Sequence, residues 1–313
     1  MIAKPGRASL VLLALVTIVV SVGLIVGVVL DRPQPFPFRQ IAEYVSGERQ
    51  NPRWDREATI RCLEASSDRQ TGELLTRILV VGHAYGAPDG DNRGVAPALG
   101  EFLSSTGDHW NLIALTGDIV RHASTENFNL VRDQLSPYAG KLVVAPGNHD
   151  VGTDSDNAKR DAFVSVFDTT WSVVELSDVL LVFLDLSMDW KLGAEQQEWL
   201  EELLAPGTEF SRIIVFTHQL VWADYLGGEI RPNSLEGLSG ASDFPSLLSE
   251  FLPSAIPVVF VAGDIGVGAN PGLFCGTKDG VTYLANGLGG QSDTLIELLL
   301  FRGGGLIINP IAL

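Results

Sequence analysis

The stretch that decides the fold is residues 142–150, which read Leu-Val-Val-Ala-Pro-Gly-Asn-His-Asp. The first four residues are apolar without polar alternation, which predicts a short strand covered on both faces. The loop after that strand carries Asn148, His149 and Asp150 behind Gly147, a residue type that permits positive φ or close backbone approach. A plain turn would explain one such loop, so its interpretation depends on whether similar loops occur elsewhere.

Similar apolar runs recur from Arg77 onwards, separated by polar, helix-like stretches. They cover residues 78–81, 112–115, 179–184, 213–216 and 258–262. Residues 196–204 have the pattern of an amphipathic helix. The segments 281–285, 295–301 and 306–308 are expected to be strands joined by Gly-rich turns, in antiparallel pairing. This alternation predicts an α/β fold.

Most of these runs end in a loop that holds a polar side chain. Besides the 147–150 loop, the residues at these ends are His83, Asp118, His218 and Asp264. Because ligands of an open α/β sheet bind at the carboxyl ends of its strands, the loops should converge. Five such loops favour a site for a hard or borderline divalent metal over five unrelated turns.

With these motifs the sequence resembles the calcineurin-like metallophosphoesterase superfamily, over about residues 77–300. The resemblance rests on Gly117-Asp118, the Gly-Asn-His-Asp tetrapeptide 30 residues later, and the strand-end His218. Gln197 and Trp199-Leu200, in the helix before His218, also look like the family. The resemblance implies a four-layer α/β/β/α sandwich for residues 76–313. It also implies Mn, Fe or Zn as cofactor and hydrolysis of a phosphomonoester or phosphodiester.

The resemblance assigns roles to individual residues. In that family an aspartate like Asp118 bridges two metals, while an asparagine like Asn148 and a histidine like His218 bind the second metal. The histidine of the tetrapeptide, here His149, helps to protonate the leaving oxygen or stabilises developing charge. The aspartate after it, here Asp150, orients that histidine. His149 and Asp150 are therefore the expected catalytic residues.

Two motifs depart from the family pattern. In place of Asp-x-His after the first strand stand His83 and Tyr85, and in place of Gly-His-x-His stand Gly263-Asp264 and Gly266. The second metal position keeps four ligands, namely Asp118, Asn148, His218 and Asp264. The first position keeps at most His83 and Asp118, because glycine offers no side chain and neutral tyrosine is a poor ligand. One well-kept metal site and one weakened or absent site are expected.

Other residues near the expected site have open roles. His83 is either a metal ligand or a group that supports the ligands or contacts substrate. Tyr85 is expected to contact substrate. Arg121 could hold a phosphate oxygen through its fork of donors, or form a surface salt bridge instead. Asp89 and Asp91 are a remoter source of a carboxylate ligand.

The N-terminal region carries an uncharged run of 22 residues, 9–30, rich in Val, Leu and Ile. At about 1.5 Å per residue, a helix of this length spans the hydrocarbon core of a bilayer. Lys4 and Arg7 precede the run, which places residues 1–8 in the cytoplasm. We expect a single-pass membrane anchor, then a spacer at 31–75 and a domain outside the cytoplasm. A cleaved signal peptide is the alternative, and it leaves the domain on the same side.

The net charge limits the classes of partner that the chain can bind, and the cysteines depend on the redox state of its compartment. The formal net charge of −17 disfavours nucleic acid, whereas a bound divalent metal would still allow a small phosphoester. The chain has two cysteines, Cys62 and Cys275, which could pair in an oxidising compartment or remain two buried thiols.

Three functions fit these residues. The first is a phosphoesterase acting on a small-molecule or a lipid- or glycan-linked phosphoester outside the cytoplasm, which the intact tetrapeptide favours. The second is an inactive or single-metal member that serves as a binding or scaffold protein in envelope or polysaccharide assembly, which the two altered motifs favour. The third is a hydrolase of another ester or linkage that uses a single metal.

Overall fold

The structure is a computed structural model that describes residues 54–67, 72–153, 157–205, 210–234, 244–251 and 256–313. The expected membrane anchor at 9–30 lies outside these residues, as does much of the expected spacer. Within the described ranges, no helix combines the length and the apolar character that crossing a membrane requires.

Eleven strands in the described residues form two sheets. Their bounds are β1 Leu74–Gly82, β2 Leu112–Thr116, β3 Leu142–Ala145, β4 Ser172–Leu176, β5 Val179–Phe183, β6 Arg212–Thr217, β7 Val258–Ala262, β8 Leu273–Lys278, β9 Val281–Asn286, β10 Thr294–Phe301 and β11 Leu306–Ala312. The first sheet has the order β11-β10-β1-β2-β3, and the second has the order β4-β5-β6-β7-β9-β8.

Parallel strands form the centre of each sheet. β1, β2 and β3 pair in parallel, and so do β5, β6, β7 and β9. Antiparallel strands complete the edges, with β10 beside β1, β11 beside β10, β4 beside β5 and β8 beside β9. The carboxyl ends of the parallel strands therefore share one edge of each sheet, where ligands of α/β sheets bind.

The C-terminal strands differ from the sequence prediction in one respect. β10 and β11 pair antiparallel as expected, but β9 lies in the other sheet, parallel to β7. The antiparallel partner of β9 is β8, a strand that the apolar pattern did not reveal. The reason is that Gly276, Thr277 and Lys278 occupy half of β8 and interrupt any apolar run.

Most of the helices pack on the outer faces of the two sheets, whereas the first contributes Leu63 to the core between them. Their bounds are α1 Arg56–Ser66, α2 Pro97–Thr106, α3 Thr125–Gln134, α4 Asn148–Val151, α5 Ala158–Phe167, α6 Ala194–Leu203 and α7 Phe244–Phe251. Two 3-10 turns, Gly107–His109 and Ser136–Lys141, precede β2 and β3.

The cores explain why the strand sequences are almost wholly apolar. In β1, Ile78 belongs to the core between the two sheets, whereas Leu79 packs in the core beneath α2, α3 and α5. In the second sheet, Val182 shares its core with Leu200 of α6 and Leu248 of α7. Each sheet is thus buried on both faces, which removes the polar alternation of a one-sided sheet. The predicted mixed α/β fold is confirmed, with two facing sheets and helices on their outer sides.

Helix α1 lies in the range expected as spacer, yet it packs on the sheets. The Asp55 side chain caps it by accepting the N–H groups of Glu57 and Ala58. Cys62 of α1 forms a disulfide with Cys275 of β8, with Cα atoms 5.6 Å apart. Of the two alternatives for the cysteines, pairing is therefore the one observed.

Candidate metal and catalytic site

The polar residues expected at strand ends form one cluster. His83 follows β1, Asp118 follows β2, and His218 and Asp264 follow β6 and β7. All four side chains are buried, with the carboxylate of Asp118 in the middle. The 147–150 loop after β3 completes the cluster, and its Asn148 and His149 are half-buried. The predicted loops thus converge, but they come from the strand ends of two sheets and not of one.

Asp118 faces two sides of the site. Its Oδ1 lies 3.3 Å from His218 Nε2, and its Oδ2 lies 3.6 Å from His83 Nε2. The backbone N–H of His149 also donates to Oδ1, at 3.1 Å. Hereafter the retained side means Asn148, His218 and Asp264, and the altered side means His83, Tyr85 and Gly266.

Gly147 explains why the tetrapeptide begins with glycine. A Cβ on this residue would lie 2.2 Å from Asp118 Oδ1 and 2.9 Å from a ring carbon of His218. Neither neighbour can move without disturbing the cluster, so only glycine lets the loop approach Asp118 this closely.

The retained side holds its ligand atoms by contacts made elsewhere. His218 Nδ1 donates to the carbonyl of Thr116 at 3.0 Å, which fixes the ring and leaves Nε2 toward Asp118. The Asp264 carboxylate accepts the backbone N–H of Ser234 at 3.2 and 3.3 Å, and its Oδ1 lies 3.8 Å from His218 Nε2. Asn148 Oδ1 and His218 Nε2 are both buried without a hydrogen-bond partner. Buried polar atoms are rarely left unpaired, so these two atoms are candidate contacts for a bound ligand.

The electrostatics of the retained side favour a positive charge. Burial alone would lower the pKa of His218, but the carboxylates of Asp118 and Asp264 outweigh it and raise the pKa to about 10. Burial raises the pKa of Asp264 to about 7. Burial also acts to raise the pKa of Asp118, yet the charge of His218 beside it holds that pKa well below its usual range.

The retained side has donor types that suit a divalent cation, but its atoms are not arranged as in an occupied metal site. Around a cation with ligand bonds near 2.1 Å, neighbouring ligand atoms lie roughly 3.0–3.5 Å apart. The separations here are 3.3 Å and 3.8 Å, so a cation would draw the ligands only slightly together. In the part of the chain that the structure describes, no group of three or more His, Cys, Asp and Glu side chains could hold a metal ion. A cation would therefore depend on the amide oxygen of Asn148 as well.

The altered side is filled by rings. Tyr85 is fully buried, its ring centroid 4.3 Å from that of His83 and 5.4 Å from that of His149. Burial lowers the pKa of His83 to about 4, so its ring is neutral, and its Nδ1 has no hydrogen-bond partner. Neutral imidazole is the form that binds metals, so His83 keeps that capacity while Tyr85 occupies the space beside it.

Gly266 shows why the last motif lacks its second histidine. Its φ is +97°, and a Cβ there would lie 2.6 Å from the carbonyl oxygen of Gly287. The same loop is joined to the segment after β9 by a bridge between Gly268 and Gly290. A side chain at residue 266 would force these two backbones apart, so no ligand can be added here without rebuilding the loop.

His149 and Asp150 are held differently from the expectation. The expectation was that Asp150 orients His149, but His149 Nδ1 donates instead to the carbonyl of Arg121, at 2.8 Å. The carboxylate of Asp150 accepts backbone N–H groups of Gly147, Ile119 and Val120. The one-turn helix α4 points Asp150 inwards, where burial raises its pKa to about 7. Asp150 thus fastens the 147–150 loop to the loop after β2.

The loop after β1 supports the site from outside. The Arg121 side chain donates from Nη1 to the carbonyl of Gly90 in that loop, so this contact is neither to a phosphate nor to a surface carboxylate. Asp89 and Asp91 are exposed, whereas the ligands in the cluster are buried. The structure therefore does not bring these two carboxylates into the site.

Sequence reasoning missed three polar residues beside the site, Asp185, Gln196 and Gln219. Asp185 is buried directly after the apolar run 179–184, so it carries the same strand-end signal as the predicted residues. The buried Gln196 side chain accepts the N–H of Asp185 at 2.8 Å and donates to its carbonyl at 2.7 Å. Gln197, the glutamine singled out from the sequence, is exposed and donates to Glu201. The glutamine that reaches the strand ends is therefore one residue earlier.

No family model matches the chain, and no curated protein matches it. Several solved structures are similar. A 5′-nucleotidase of Staphylococcus aureus has 13% identity and a TM-score of 0.43, with 76% of this chain and 53% of that chain covered. The NAD nucleotidase of Haemophilus influenzae has 12% identity and a TM-score of 0.44, with 76% and 50% covered. The phosphopantetheinyl hydrolase of Mycobacterium tuberculosis has 11% identity and a TM-score of 0.40, with 70% and 91% covered.

The chain spans about half the length of the first two of these proteins. Identities and TM-scores this low support no conclusion about activity. The chain resembles a divergent calcineurin-like metallophosphoesterase through its own residues, the Gly117-Asp118 pair, the 147–150 loop and His218, which the fold gathers into one site.

Proposed function

We propose that the chain is a divergent metal-dependent phosphoesterase that hydrolyses a phosphomonoester or phosphodiester. The observation that carries this proposal is the pair of unpartnered buried atoms, Asn148 Oδ1 and His218 Nε2, beside Asp118. The facing sheets with helices on their outer sides support the finer fold assignment, a four-layer sandwich of the calcineurin-like type.

The proposed cation site is the retained side together with Asp118. A divalent cation held there, Mn, Fe or Zn, would neutralise phosphoryl oxygens and lower the pKa of water. His83 approaches Asp118 from the altered side and is either a further ligand or a substrate contact. One cation is proposed, because Gly266 contributes no ligand on the altered side and Tyr85 is a poor one.

His149 is the proposed acid. Its Nδ1 carries a hydrogen because it donates to the carbonyl of Arg121, so the proton that moves during reaction is the one at Nε2. The half-buried ring can be reached by a substrate, and the ring of Tyr85 packs near it. His149 would protonate the leaving oxygen, with Asp150 keeping its loop in place. Tyr85 and Arg121 remain the proposed substrate contacts.

The proposed place of action is outside the cytoplasm, on a membrane-anchored domain. The run at 9–30 supports the anchor, and the disulfide between Cys62 and Cys275 fits an oxidising compartment. The proposed substrate is a small-molecule or a lipid- or glycan-linked phosphoester rather than a nucleic acid, given the net charge of −17.

The test uses the purified full chain with added Mn, Fe or Zn and two generic substrates, p-nitrophenyl phosphate and its bis-ester. His149→Ala should lower kcat by about 100-fold or more, the usual worth of a general acid, while the metal-to-protein ratio stays unchanged. The exposed His109→Ala is the matched control and should retain wild-type turnover. An enzyme that binds no metal and releases no product, or a His149→Ala variant as active as wild type, would contradict the proposal.

A binding or scaffold role is the second candidate, favoured by the ring packing and glycine backbone of the altered side. It predicts that His149→Ala and Asp118→Ala leave the cellular role unchanged. Loss of that role in either variant, with the protein still folded, counts against it. Hydrolysis of a different ester by the single retained site is a third candidate, separated from the first by which ester is turned over.

A further inference from the structure

We propose that Arg160 and Gln219 line a second subsite beside the retained side, which binds an anionic group on the part of the substrate beyond its scissile phosphate. This inference rests on the proposed function, because it describes the substrate of the same site. Neither residue was singled out from the sequence.

The position of the subsite follows from strand register. β5 and β6 pair with Phe183 opposite Phe216, and the N–H of Leu184 donates to the carbonyl of Phe216 at 2.9 Å. Asp185 and His218 each come two residues later, so both lie where these neighbouring strands end. The subsite is therefore placed at the strand ends beside the proposed cation site.

Asp185 is fixed by hydrogen bonds, so it can position the side chain of Arg160. Gln196 clamps its backbone, and the N–H of Ser187 donates to its Oδ1 at 3.0 Å. Its Oδ2 accepts Nη1 of Arg160, which also donates to Thr170 Oγ1 at 3.2 Å. Arg160 lies on α5, shortly after the 147–150 loop, so its guanidinium reaches from the first sheet's helices to the edge of the second sheet.

The guanidinium of Arg160 keeps access to a ligand. Its side chain is 23% exposed, whereas that of Asp185 is 4% exposed. Both contacts, to Asp185 and to Thr170, use Nη1, which carries two of the five N–H donors of arginine. An arginine fixed in this way can present another edge of its fork to a carboxylate or phosphate.

Gln219 gives an independent sign of a missing ligand. It follows His218 directly and is completely buried, and its Nε2 donates to Ser187 Oγ at 3.3 Å. Its Oε1 has no hydrogen-bond partner. A buried acceptor without a donor is destabilising, so a donor from a bound molecule is the expected complement.

A purely structural role explains these contacts less well. A buried ion pair is weak evidence for stabilisation, because desolvation offsets the attraction between its charges. If the network served only to hold α5 against β5, the oxygen of Gln219 at its far end would not need to be unpaired. The network fits a phosphoester that carries a second anionic group for Arg160 and a hydroxyl that donates to Gln219.

The experiment compares two phosphates that differ in one carboxylate, 3-phosphoglycerate and glycerol 3-phosphate. Binding to the full-length His149→Ala chain with Mn is measured by calorimetry, and hydrolysis by the wild-type chain is measured by phosphate release. We expect 3-phosphoglycerate to bind about tenfold more tightly, the worth of one charge-assisted hydrogen-bond set. Arg160→Gln should remove that preference without changing the affinity for glycerol 3-phosphate. Arg302→Gln is the matched control, because Arg302 is far from Arg160 along the chain and forms a salt bridge with the exposed Glu73.

The outcomes separate the subsite from the activity. The subsite is overturned if neither phosphate is preferred, or if Arg160→Gln weakens both equally. It stands, and the proposed activity falls, if the preference is lost in Arg160→Gln while the wild-type chain hydrolyses nothing. If Arg160→Gln does not fold, Arg160→Lys decides. That variant keeps the charge but not the fork, so it should keep only part of the preference, and an undiminished preference would overturn the subsite.

Discussion

The two sides of Asp118 differ in what fills them. On the retained side, His218 and Asp264 are positioned by hydrogen bonds to Thr116 and Ser234, and two buried polar atoms have no partner. On the altered side, the ring of Tyr85 packs on His83, and a Cβ at residue 266 would clash with the carbonyl of Gly287. One buried atom of the altered side, His83 Nδ1, also lacks a partner, so the two sides differ mainly in the space that rings and backbone leave for a ligand.

This difference shows that the altered side is packed with neighbouring groups and is not an empty ligand position. Interiors are packed as densely as organic crystals, so space that a ligand no longer uses is taken up by neighbouring groups. Restoring a metal there would require displacing an aromatic ring and separating two backbone segments. Asp118 faces the two sides through different oxygens, so a ligand on the retained side would not require one on the altered side.

The largest effect is expected from changing Asp118, the residue that both sides share. Asp118→Asn keeps the shape of the side chain but removes its charge, and we expect the metal-to-protein ratio to fall to near zero. Turnover should fall by roughly 1000-fold or more, because cation binding and water activation are lost together. Element analysis and hydrolysis of p-nitrophenyl phosphate measure the two effects. A variant that keeps its metal would show that Asp118 is not the central ligand.

Removing one histidine from each side tests whether the two sides differ in metal binding. His218→Ala should weaken metal binding by more than the roughly 10–100-fold typical of a residue that only supports a ligand. His83→Ala should weaken it by about tenfold or less, since its side has no other strong ligand besides Asp118. Metal titration of both variants measures these affinities under identical conditions. Equal losses would mean that the two sides are equivalent and that the distinction is mistaken.

The smallest effect on activity is expected from an attempt to rebuild the altered side. Gly266→His supplies the missing imidazole but places a side chain at positive φ against Gly287, so stability should fall by about 2–4 kcal/mol. The ratio of metal to protein should stay near one. Thermal unfolding and element analysis test this, with Gly140→His as control, because nothing lies within 4 Å of a Cβ at residue 140. A stable variant with two metals per chain would refute the account of the altered side.

The strands of the two sheets could largely be predicted from the sequence, because strands buried on both faces leave unbroken apolar runs. β5, β6 and β7 coincide closely with the predicted runs 179–184, 213–216 and 258–262. β4 and β8 were missed because they lie at sheet edges, where Glu175 and Lys278 break the pattern. The sequence also could not predict that β9 belongs to the second sheet, because strand pairing depends on contacts between residues that are distant along the chain.

The clustering of the candidate ligands could be predicted because each follows a strand, but the contacts that hold them could not. His149 is oriented by the backbone carbonyl of Arg121. Every residue has such a carbonyl, so the sequence does not reveal which one a side chain will contact. Gln196 and Gln197 are adjacent but point about 100° apart around the helix, and which of them faces the strand depends on how the helix packs. Asp185 was predictable, since it follows an apolar run as Asp118 does.

The disulfide between Cys62 and Cys275 has a topological consequence. The two residues are 213 positions apart, and the bond closes the backbone between them into a covalent ring. A protease that cuts this ring once leaves every residue of the chain attached to every other through sulfur. Whatever residues 1–61 are fastened to, a single cut between the two cysteines would not release the rest of the protein. Shedding would need a cut before Cys62, or a cut inside the ring together with a reductant.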